Sequence, residues 1–247
     1  MESVGLSTAT PIKTIEGKYV VAGEELYFYV TKRLVGKQLL ASTMYFEDYV
    51  TKARFIGEII GQLDIALTKI DVITNQANVF KSAKEWAIPT LLEKMDFSKN
   101  FIETYEAVLG DIYESLPQQI IHRDLNPGNL IMSGDNWGIL DFDLSERNIR
   151  IFDPCYAATA ILSESFEADN TNKLSQWIII YKNIMYGYNE VVKLSNNEWK
   201  AIPYVVIANQ LIATAWFSEQ EKYRELYETN KKMTEWMLQN FDDLLFE

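Results

Sequence analysis

Two short stretches in the middle of the chain decide the fold: His122-Arg123-Asp124-Leu125-Asn126-Pro127-Gly128-Asn129 and Ile139-Leu140-Asp141-Phe142-Asp143. The Asn-Pro-Gly tripeptide in the first stretch is strong turn chemistry. Between the two stretches, apolar runs at 130–132 and 138–140 flank a turn at 133–136, a pattern that is typical of paired strands. The sequence therefore predicts a β-hairpin with polar residues before its first strand and after its second.

The spacing of three polar residues brings them to one end of this hairpin. Asn129 follows Asp124 by five residues, and Asp141 follows Asn129 by twelve. Because a hairpin of that length folds back, Asn129 and Asp141 can lie side by side near Asp124. Oxygen ligands on loops suit Mg²⁺, which takes one or two carboxylates and completes its shell with water and phosphate oxygens. Single Asp and Asn residues in turns are usually structural, but this order matches the metal and catalytic residues of phosphoryl-transfer enzymes.

The two stretches resemble the aminoglycoside phosphotransferase and choline kinase-like family, which has the protein-kinase fold. The resemblance covers about residues 13–245 and is sharp only over 119–155. It implies an α+β, protein-kinase-like fold, in which a truncated β-rich N-terminal lobe precedes a mostly helical C-terminal lobe that carries the catalytic-loop hairpin. Residues 1–36 would be the remnant of the nucleotide lobe with the inter-lobe linker, and residues 37–247 the catalytic and substrate lobe.

The resemblance also implies a function for each residue of the motif pair. Asp124 would be the catalytic aspartate that orients or deprotonates a hydroxyl of a small-molecule acceptor. Asn129 and Asp141 would hold Mg²⁺ against the phosphates of ATP or GTP. The reaction would be phosphoryl transfer to that hydroxyl, driven by positioning and by charge neutralisation.

The same resemblance implies supporting roles for residues outside the two stretches. The backbone of the linker would hydrogen-bond the adenine of the nucleotide, and His122 and Asp153 would order and brace the catalytic loop. The linker residues concerned are Lys32, Arg33 and Leu34.

Two departures separate this chain from protein kinases. Asn126 stands where protein kinases carry a Lys, and Asp143 replaces the Gly that follows Asp-Phe. About a dozen residues join Asp143 to the next predicted helix, too few for a long activation loop. These features favour a small-molecule acceptor. The surplus of carboxylates favours a cationic one such as an aminoglycoside, while choline, homoserine and sugars stay open.

The front of the chain departs further from the family. The runs 18–21 and 26–30 predict a β-hairpin with a turn at 22–25. No Gly-rich phosphate loop is present, and Lys13 and Lys18 are expected to be solvated rather than to bind phosphate. A truncated form, a shortened gene and a partner chain that covers the hairpin are three explanations that the sequence leaves open.

These gaps lead to two rival hypotheses. A kinase-like module without the phosphate loop and its Lys would be a catalytically inert binding module. An exposed hairpin would instead allow self-association or pairing with another protein, because its unpaired edge can bind a further strand.

The rest of the chain is predicted to be helical. One helix is expected from a cap at Ser42 or Thr43 to Leu67, and another from Ser98 to a stop at Pro117. Residues 70–95 are expected to be irregular because Pro89 lies within them. Three or four helices are expected from about 154 to 244, near 154–163, 171–188, 196–217 and 221–241.

The composition excludes several classes of protein. The chain has 247 residues, and 23 Lys and Arg against 35 Asp and Glu give a net charge of −12. Such an acidic chain is not typical of a nucleic-acid binder or of a protein on anionic lipid. We expect a cytoplasmic protein without a membrane partner, since no signal peptide is evident and the apolar run at 177–181 is too short to span a bilayer. One His and one Cys disfavour a zinc site.

Overall fold

The computed structural model describes residues 7–24, 26–133 and 136–246. The strands are β1 (Ser7–Thr8), β2 (Val21–Ala22), β3 (Tyr27–Phe28), β4 (Lys37–Gln38), β5 (Gln118–Ile121), β6 (Leu130–Ser133), β7 (Asn136–Ile139) and β8 (Glu146–Ile149). The helices are α1 (Tyr49–Leu67), α2 (Val79–Ser82), α3 (Ile88–Leu92), α4 (Lys99–Ile112), α5 (Phe152–Ser163), α6 (Thr171–Val191), α7 (Asn196–Ser218), α8 (Arg224–Gln239) and α9 (Phe241–Leu244).

The predicted central hairpin forms the middle of a four-stranded sheet. Strands β6 and β7 pair antiparallel, with Leu130 opposite Ile139. Strand β4 adds antiparallel to β6, and β1 adds parallel to β7, so the order is β1-β7-β6-β4. The turn that the sequence places at 133–136 falls partly on residues 134–135, which lie outside the described residues. Strands from both predicted domains therefore share one sheet.

A second, two-stranded sheet frames the segment that carries Asp124. Strand β5 pairs antiparallel with β8, with Gln118 opposite Ile149 and Ile121 opposite Glu146. The chain leaves β5 directly into residues 122–129, which include a 3₁₀ turn at Pro127–Asn129 before β6 begins. The segment is thus fixed at both ends by strands.

The N-terminal hairpin is present but shorter than predicted. Only Val21–Ala22 and Tyr27–Phe28 pair, antiparallel, and Glu25 of the expected turn lies outside the described residues. Tyr27 is 78% exposed and Phe28 57%. These two side chains therefore add little buried apolar surface in the part of the chain that the structure describes.

Helices α1 and α6 form the tightest packing in the core. A Cβ on Gly57 of α1 would lie 2.0 Å from the carbonyl oxygen of Ile184, and one on Gly187 of α6 would lie 1.9 Å from that of Arg54. Backbones that approach so closely leave no room for any side chain. The two glycines therefore set the distance between the helices.

Helix α7 is long and apolar and lies in the core. It is the one helix in the described ranges that is long and apolar enough to cross a membrane, and 72% of its apolar window is buried. It is longer than the run at 177–181 on which the sequence expectation was based. It packs against α4, α5 and α8.

Two local predictions in the helical part are wrong. Helix α1 begins at Tyr49 after Asp48, not at Ser42 or Thr43, because residues 41–45 form a 3₁₀ turn and the Thr43 hydroxyl donates to the Leu40 carbonyl. Residues 79–92 are continuously helical rather than irregular. Pro89 is the second residue of α3, which directly follows a π-helical turn at 83–87. The wider hydrogen-bond spacing of that turn accommodates the N–H that proline lacks.

The other helices follow the sequence. Helix α4 begins after Ser98 as expected, and α5, α6, α7 and α8 lie within a few residues of the four predicted ranges. In α7 the start is fixed by a capping box, in which Ser195 and Glu198 satisfy each other's backbone amides.

Adding a methyl group at the α1–α6 contact is expected to destabilise the fold. Gly57→Ala should lower the free energy of unfolding by about 2 kcal/mol or more, because overpacking forces backbone shifts that typically cost about 1–3 kcal/mol. Urea unfolding followed by circular dichroism measures this change.

Gly110→Ala in α4 is the matched control. Its Cβ would meet the end of the Phe80 ring at 3.0 Å, a side chain that can shift. Alanine also gains about 0.8–1.0 kcal/mol of helix propensity, so the stability should change by less than about 1 kcal/mol. Equal losses in both variants would contradict this account of the packing.

Candidate active site

Three side chains hold the carboxylate of Asp124. Oδ1 accepts hydrogen bonds from Asn126 Nδ2 at 3.0 Å and from the Tyr156 hydroxyl at 2.9 Å, and Oδ2 accepts one from Asn129 Nδ2 at 3.1 Å. Burial, followed by the nearby charge of Asp124, raises the pKa of Tyr156. Its phenol therefore stays protonated and acts as a donor. The carboxylate is fixed in orientation before any substrate arrives.

Asn129 lies against Asp124, as the spacing predicts. Its Nδ2 also donates to the backbone carbonyl of Asp124 at 2.8 Å, so both amide hydrogens point to one residue. Its Oδ1 accepts no hydrogen bond from any described residue, and it is the oxygen that a metal ion would use.

Asp141 lies at the same end of the hairpin. The amide of Leu140 donates to the carbonyl of Asn129 at 3.0 Å, which brings the residue before Asp141 against Asn129. Asp141 itself has φ 61°, in the left-handed region that Asp tolerates better than most residues. It is exposed, and the amide of Asp143 approaches its Oδ1 at 3.5 Å. The structure thus brings the three predicted residues to one place.

Asp153 braces the segment from the first turn of α5. This fully buried carboxylate accepts the backbone amide of His122 at 2.7 Å and that of Arg123 at 2.8 Å. Burial raises its pKa to about 7, against the opposing effect of the two amides. The sequence prediction for Asp153 agrees with this placement, because no contact with a substrate is needed to explain its burial.

His122 connects the segment to the second half of the site. Burial lowers its pKa, so the imidazole is neutral near neutral pH. Nδ1 accepts the amide of Asp124 at 3.2 Å, which leaves Nε2–H to donate to the carbonyl of Leu140 at 2.8 Å. Its ring also lies 4.6 Å from that of Phe142. His122 is therefore a positioning residue, in agreement with its predicted role.

Arg123 and Glu146 form an ion pair beside the site that the sequence did not reveal. Arg123 has φ 75°, which turns the chain sharply after β5. Its Nε lies 3.2 Å from Oε1 of the buried Glu146 in β8. Burial raises the pKa of Glu146 and the Arg123 charge lowers it. The pair neutralises a carboxylate that would otherwise repel Asp124.

The linker lies against the central hairpin. Lys32 and Arg33 are exposed, whereas Leu34 is half-buried and contacts Gly138 in β7. The amide of Lys32 donates to the carbonyl of Thr10 at 2.9 Å, so this N–H is not free to bind a base. Within the described residues, the carbonyl of Lys32 and the backbone N–H and C=O groups of Arg33 and Leu34 form no hydrogen bond, so they can take the predicted role.

Gly36 explains how the linker approaches the hairpin. Its φ is 148°, and a Cβ there would lie 2.3 Å from the carbonyl oxygen of Met132. Only glycine allows so close an approach between the linker and β6.

The N-terminal lysines Lys13 and Lys18 are exposed and make local contacts. Lys18 pairs with Glu16 at 3.3 Å in solvent, and Lys13 lies 5.2 Å from the ring centre of Tyr19. Both placements agree with the prediction of solvated lysines. The hairpin region does contact the site in another way, because the Tyr29 hydroxyl donates to Asp143 Oδ1 at 2.8 Å.

The oxygen atoms at this end of the hairpin suit a divalent cation that also binds phosphate. Asn129 and Asp141 supply a carboxamide oxygen and a carboxylate, the hard ligands that Mg²⁺ prefers. The described residues contain no cluster of three or more His, Cys, Asp or Glu side chains able to enclose a metal ion by themselves. Mg²⁺ usually keeps water and phosphate oxygens in its shell, so the residues present fit an ion shared with a nucleotide.

A cavity of about 710 Å³ opens beside Asp124. Its walls come from separate parts of the chain, and most of the surface that they expose to the cavity is apolar. They include Val79, Trp86, Arg123, Asp124, Asn126, Leu144, Glu146, Phe152, Tyr156, Thr159, Glu164, Asn209, Gln210, Ile212, Trp216, Phe217 and Asn230.

The late aromatic residues divide between core and cavity. Trp177, Tyr181 and Tyr188 are fully buried, whereas Trp216 and Phe217 line the cavity. The sequence carries no local signal that separates the two groups.

Comparison with known proteins agrees with this geometry. The profile of the phosphotransferase enzyme family, APH, matches residues 9–177, more than half of the chain. No curated protein sequence matches the chain.

Solved structures show the same fold. Amicoumacin kinase in complex with AMP-PNP, Ca²⁺ and Ami gives a TM-score of 0.65 at 14% identity, over 95% of this chain and 73% of that chain. The microcompartment-associated aminopropanol kinase gives 0.63 at 15%, over 98% and 78%. A choline/ethanolamine kinase family protein from Mesorhizobium loti gives 0.60 at 13%, over 98% and 78%. The predicted α+β, protein-kinase-like fold is confirmed.

Removing the carboxylate of Asp153 is expected to destabilise the protein. Asp153→Ala leaves two buried amides without partners and should lower the free energy of unfolding by about 3–5 kcal/mol, the range for breaking a buried charged contact. Asp153→Asn keeps one acceptor and should cost less. Chemical unfolding monitored by tryptophan fluorescence measures both values.

Asp169→Ala provides the control, since Asp169 is exposed between α5 and α6. It should change stability by no more than about 0.5 kcal/mol. If Asp153→Ala were as stable as this control, the bracing role would be wrong.

Proposed function

The chain belongs to the phosphotransferase enzyme family, and from that membership we propose that it transfers the γ-phosphate of ATP or GTP to a hydroxyl of a small molecule. The observation that carries the proposal is the position of Asp124. Its carboxylate is held by three donors at the wall of a cavity of about 710 Å³, beside the side-chain Oδ1 of Asn129, which accepts no hydrogen bond from the described residues. A cavity of this size suits a small-molecule acceptor.

Asp124 is the residue proposed to act on the acceptor. A hydroxyl in the cavity donates its hydrogen bond to the carboxylate, which orients the oxygen for in-line attack and takes its proton as the new bond to phosphorus forms. Tyr156, Asn126 and Asn129 keep the carboxylate in place without competing as bases. Much of the rate comes from this fixed geometry.

Asn129 and Asp141 are proposed to hold Mg²⁺. When bound, the ion neutralises negative charge on the phosphates. The chain's own contribution is to fix the two ligands: Asn129 by two hydrogen bonds to Asp124, and Asp141 through the Leu140 contacts with Asn129 and His122.

The acceptor is proposed to carry a positive charge in addition to its hydroxyl. Glu164 lines the cavity, and no Lys or Arg among the described residues pairs with it. An ammonium group on an aminoglycoside-like molecule can pair with this carboxylate. Among the described residues, Arg123 is the one Lys or Arg that lines the cavity, and it is paired with Glu146.

The inert binding module is the second candidate, favoured by the position of Lys13 and Lys18. Both are exposed, and their ammonium groups lie against Glu16 and the Tyr19 ring rather than in a described phosphate cradle, whereas the fold's usual cradle includes a lysine on the α- and β-phosphates. Such a module keeps the cavity but lacks efficient transfer.

Removing the Asp124 carboxylate should abolish turnover. Asp124→Asn, which preserves shape, should lower kcat by about 10²–10⁴-fold, the range for a general base. ADP release in a coupled assay with a panel of hydroxyl-bearing amines measures it. Asp111→Ala, in the exposed face of α4, is the control and should retain full activity. Unchanged turnover in Asp124→Asn would remove this residue from the mechanism.

Nucleotide binding should require Mg²⁺ and Asp141. Calorimetry with ATP should show binding in the presence of Mg²⁺ and at least tenfold weaker binding in Asp141→Asn, a variant that tolerates φ 61°. Asp111→Ala should bind like the wild type. Absence of binding by the wild type with Mg²⁺, for both ATP and GTP, would favour the inert module.

A further inference from the structure

Helix α7 carries a buried amide side chain at the cavity that has no partner. Asn209 is 6% exposed, and neither its Nδ2 nor its Oδ1 forms a hydrogen bond within the described residues. It lines the same cavity as Asp124. A buried polar group without a partner costs about 1–3 kcal/mol, so such an arrangement needs a reason.

The polar residues around Asn209 form a hydrogen-bond network of their own. The neighbouring Gln210, 1% exposed, donates from Nε2 to Asn230 Oδ1 at 3.1 Å and to Thr234 Oγ1 at 3.2 Å across the α7–α8 contact. The Thr214 hydroxyl donates back to the Gln210 carbonyl at 2.8 Å. This network stabilises the pairing of α7 with α8. Asn209 takes no part in it, and Gln210 Oε1 is also left without a donor.

The chemistry of a free carboxamide restricts its partner. It offers two N–H donors and one carbonyl acceptor, so it is satisfied by a group that both accepts and donates, such as a hydroxyl or an amide. An ammonium group only donates, and a quaternary ammonium group does neither.

We propose that Asn209 binds a second polar group of the acceptor, a hydroxyl or an amide, while Asp124 takes the reacting hydroxyl. The acceptor is then a molecule with several hydroxyl groups, of the aminosugar class, rather than a choline-like quaternary ammonium alcohol. This inference rests on the proposed function, because it assumes that the cavity beside Asp124 holds the acceptor.

The rest of the cavity agrees with such a ligand. Apolar walls with a few placed polar groups are the usual form of a small-molecule site. Trp86 and Trp216 offer flat faces, and Glu164 offers a carboxylate for an amine. Asp124 and Asn209 come from the loop after β5 and from α7, so a ligand that touches both is positioned by two separate elements.

Binding of two simple probes tests the proposal without requiring turnover. Calorimetry with the full chain should show that glucosamine binds more tightly than choline. Asn209→Leu should weaken glucosamine binding at least tenfold and leave choline unchanged. The same variant should raise the melting temperature, because leucine removes an unpaired buried amide without a large change in volume.

Asn183→Leu is the matched control. Asn183 is also a buried helical amide, at 9% exposure, but its Nδ2 donates to the Ile179 carbonyl and its Oδ1 accepts from Arg54, away from the cavity. The control should lower the melting temperature and leave glucosamine binding intact. If Asn209→Leu does not fold, Asn209→Ala carries the same binding test.

The outcomes separate this inference from the proposed function. Tighter binding of choline, binding of neither probe, or glucosamine binding that is equal in wild type and Asn209→Leu would overturn the inference. Glucosamine binding that depends on Asn209, without ADP release in any assay, would support the inference and contradict phosphoryl transfer.

Discussion

The buried carboxylate of Asp153 is the interaction on which the site depends. Its two hydrogen bonds hold the backbone of His122 and Arg123, the residues that directly precede Asp124. Arg123 has φ 75°, a conformation that costs free energy in a non-glycine residue. The short bonds to Asp153 offset that cost. The direction in which Asp124 leaves β5 is therefore set from the first turn of α5, not by the loop itself.

His122 transmits this constraint to the far side of the hairpin. Its backbone amide donates to Asp153. Its ring accepts a hydrogen bond from the Asp124 amide and donates one to the Leu140 carbonyl. A neutral imidazole is needed for both bonds, and burial favours that form. The two halves of the site, Asp124 with Asn129 and the segment at Asp141, are thereby joined through one ring. The two halves therefore lie close together without a bound nucleotide.

The sequence was sufficient to predict which residues meet at the site where those residues are close along the chain. Asp124, Asn129 and Asp141 lie on one hairpin, so their distance apart along the chain predicts their proximity in space. Glu146 was missed because an isolated Glu in a β8 strand of four residues has no distinguishing pattern. Asn209 was missed because buried amides occur in any core helix, and only the coordinates show that this one has no partner. The helical start at Ser98 was predicted from its cap, whereas Pro89 misled because a π-helical turn accommodates it.

The four-stranded sheet explains how the linker and the hairpin act as one unit. Strands β4 and β1 are only two residues long and have no alternating pattern, which is why the sequence did not predict them. They nevertheless pair with both outer edges of the β6–β7 hairpin, and Gln38 donates to the Gly128 carbonyl at 2.8 Å. Gly36 lets the linker approach β6 at backbone distance. Any group bound by the linker backbone is consequently held in register with Asn129, because the same hairpin carries both contacts.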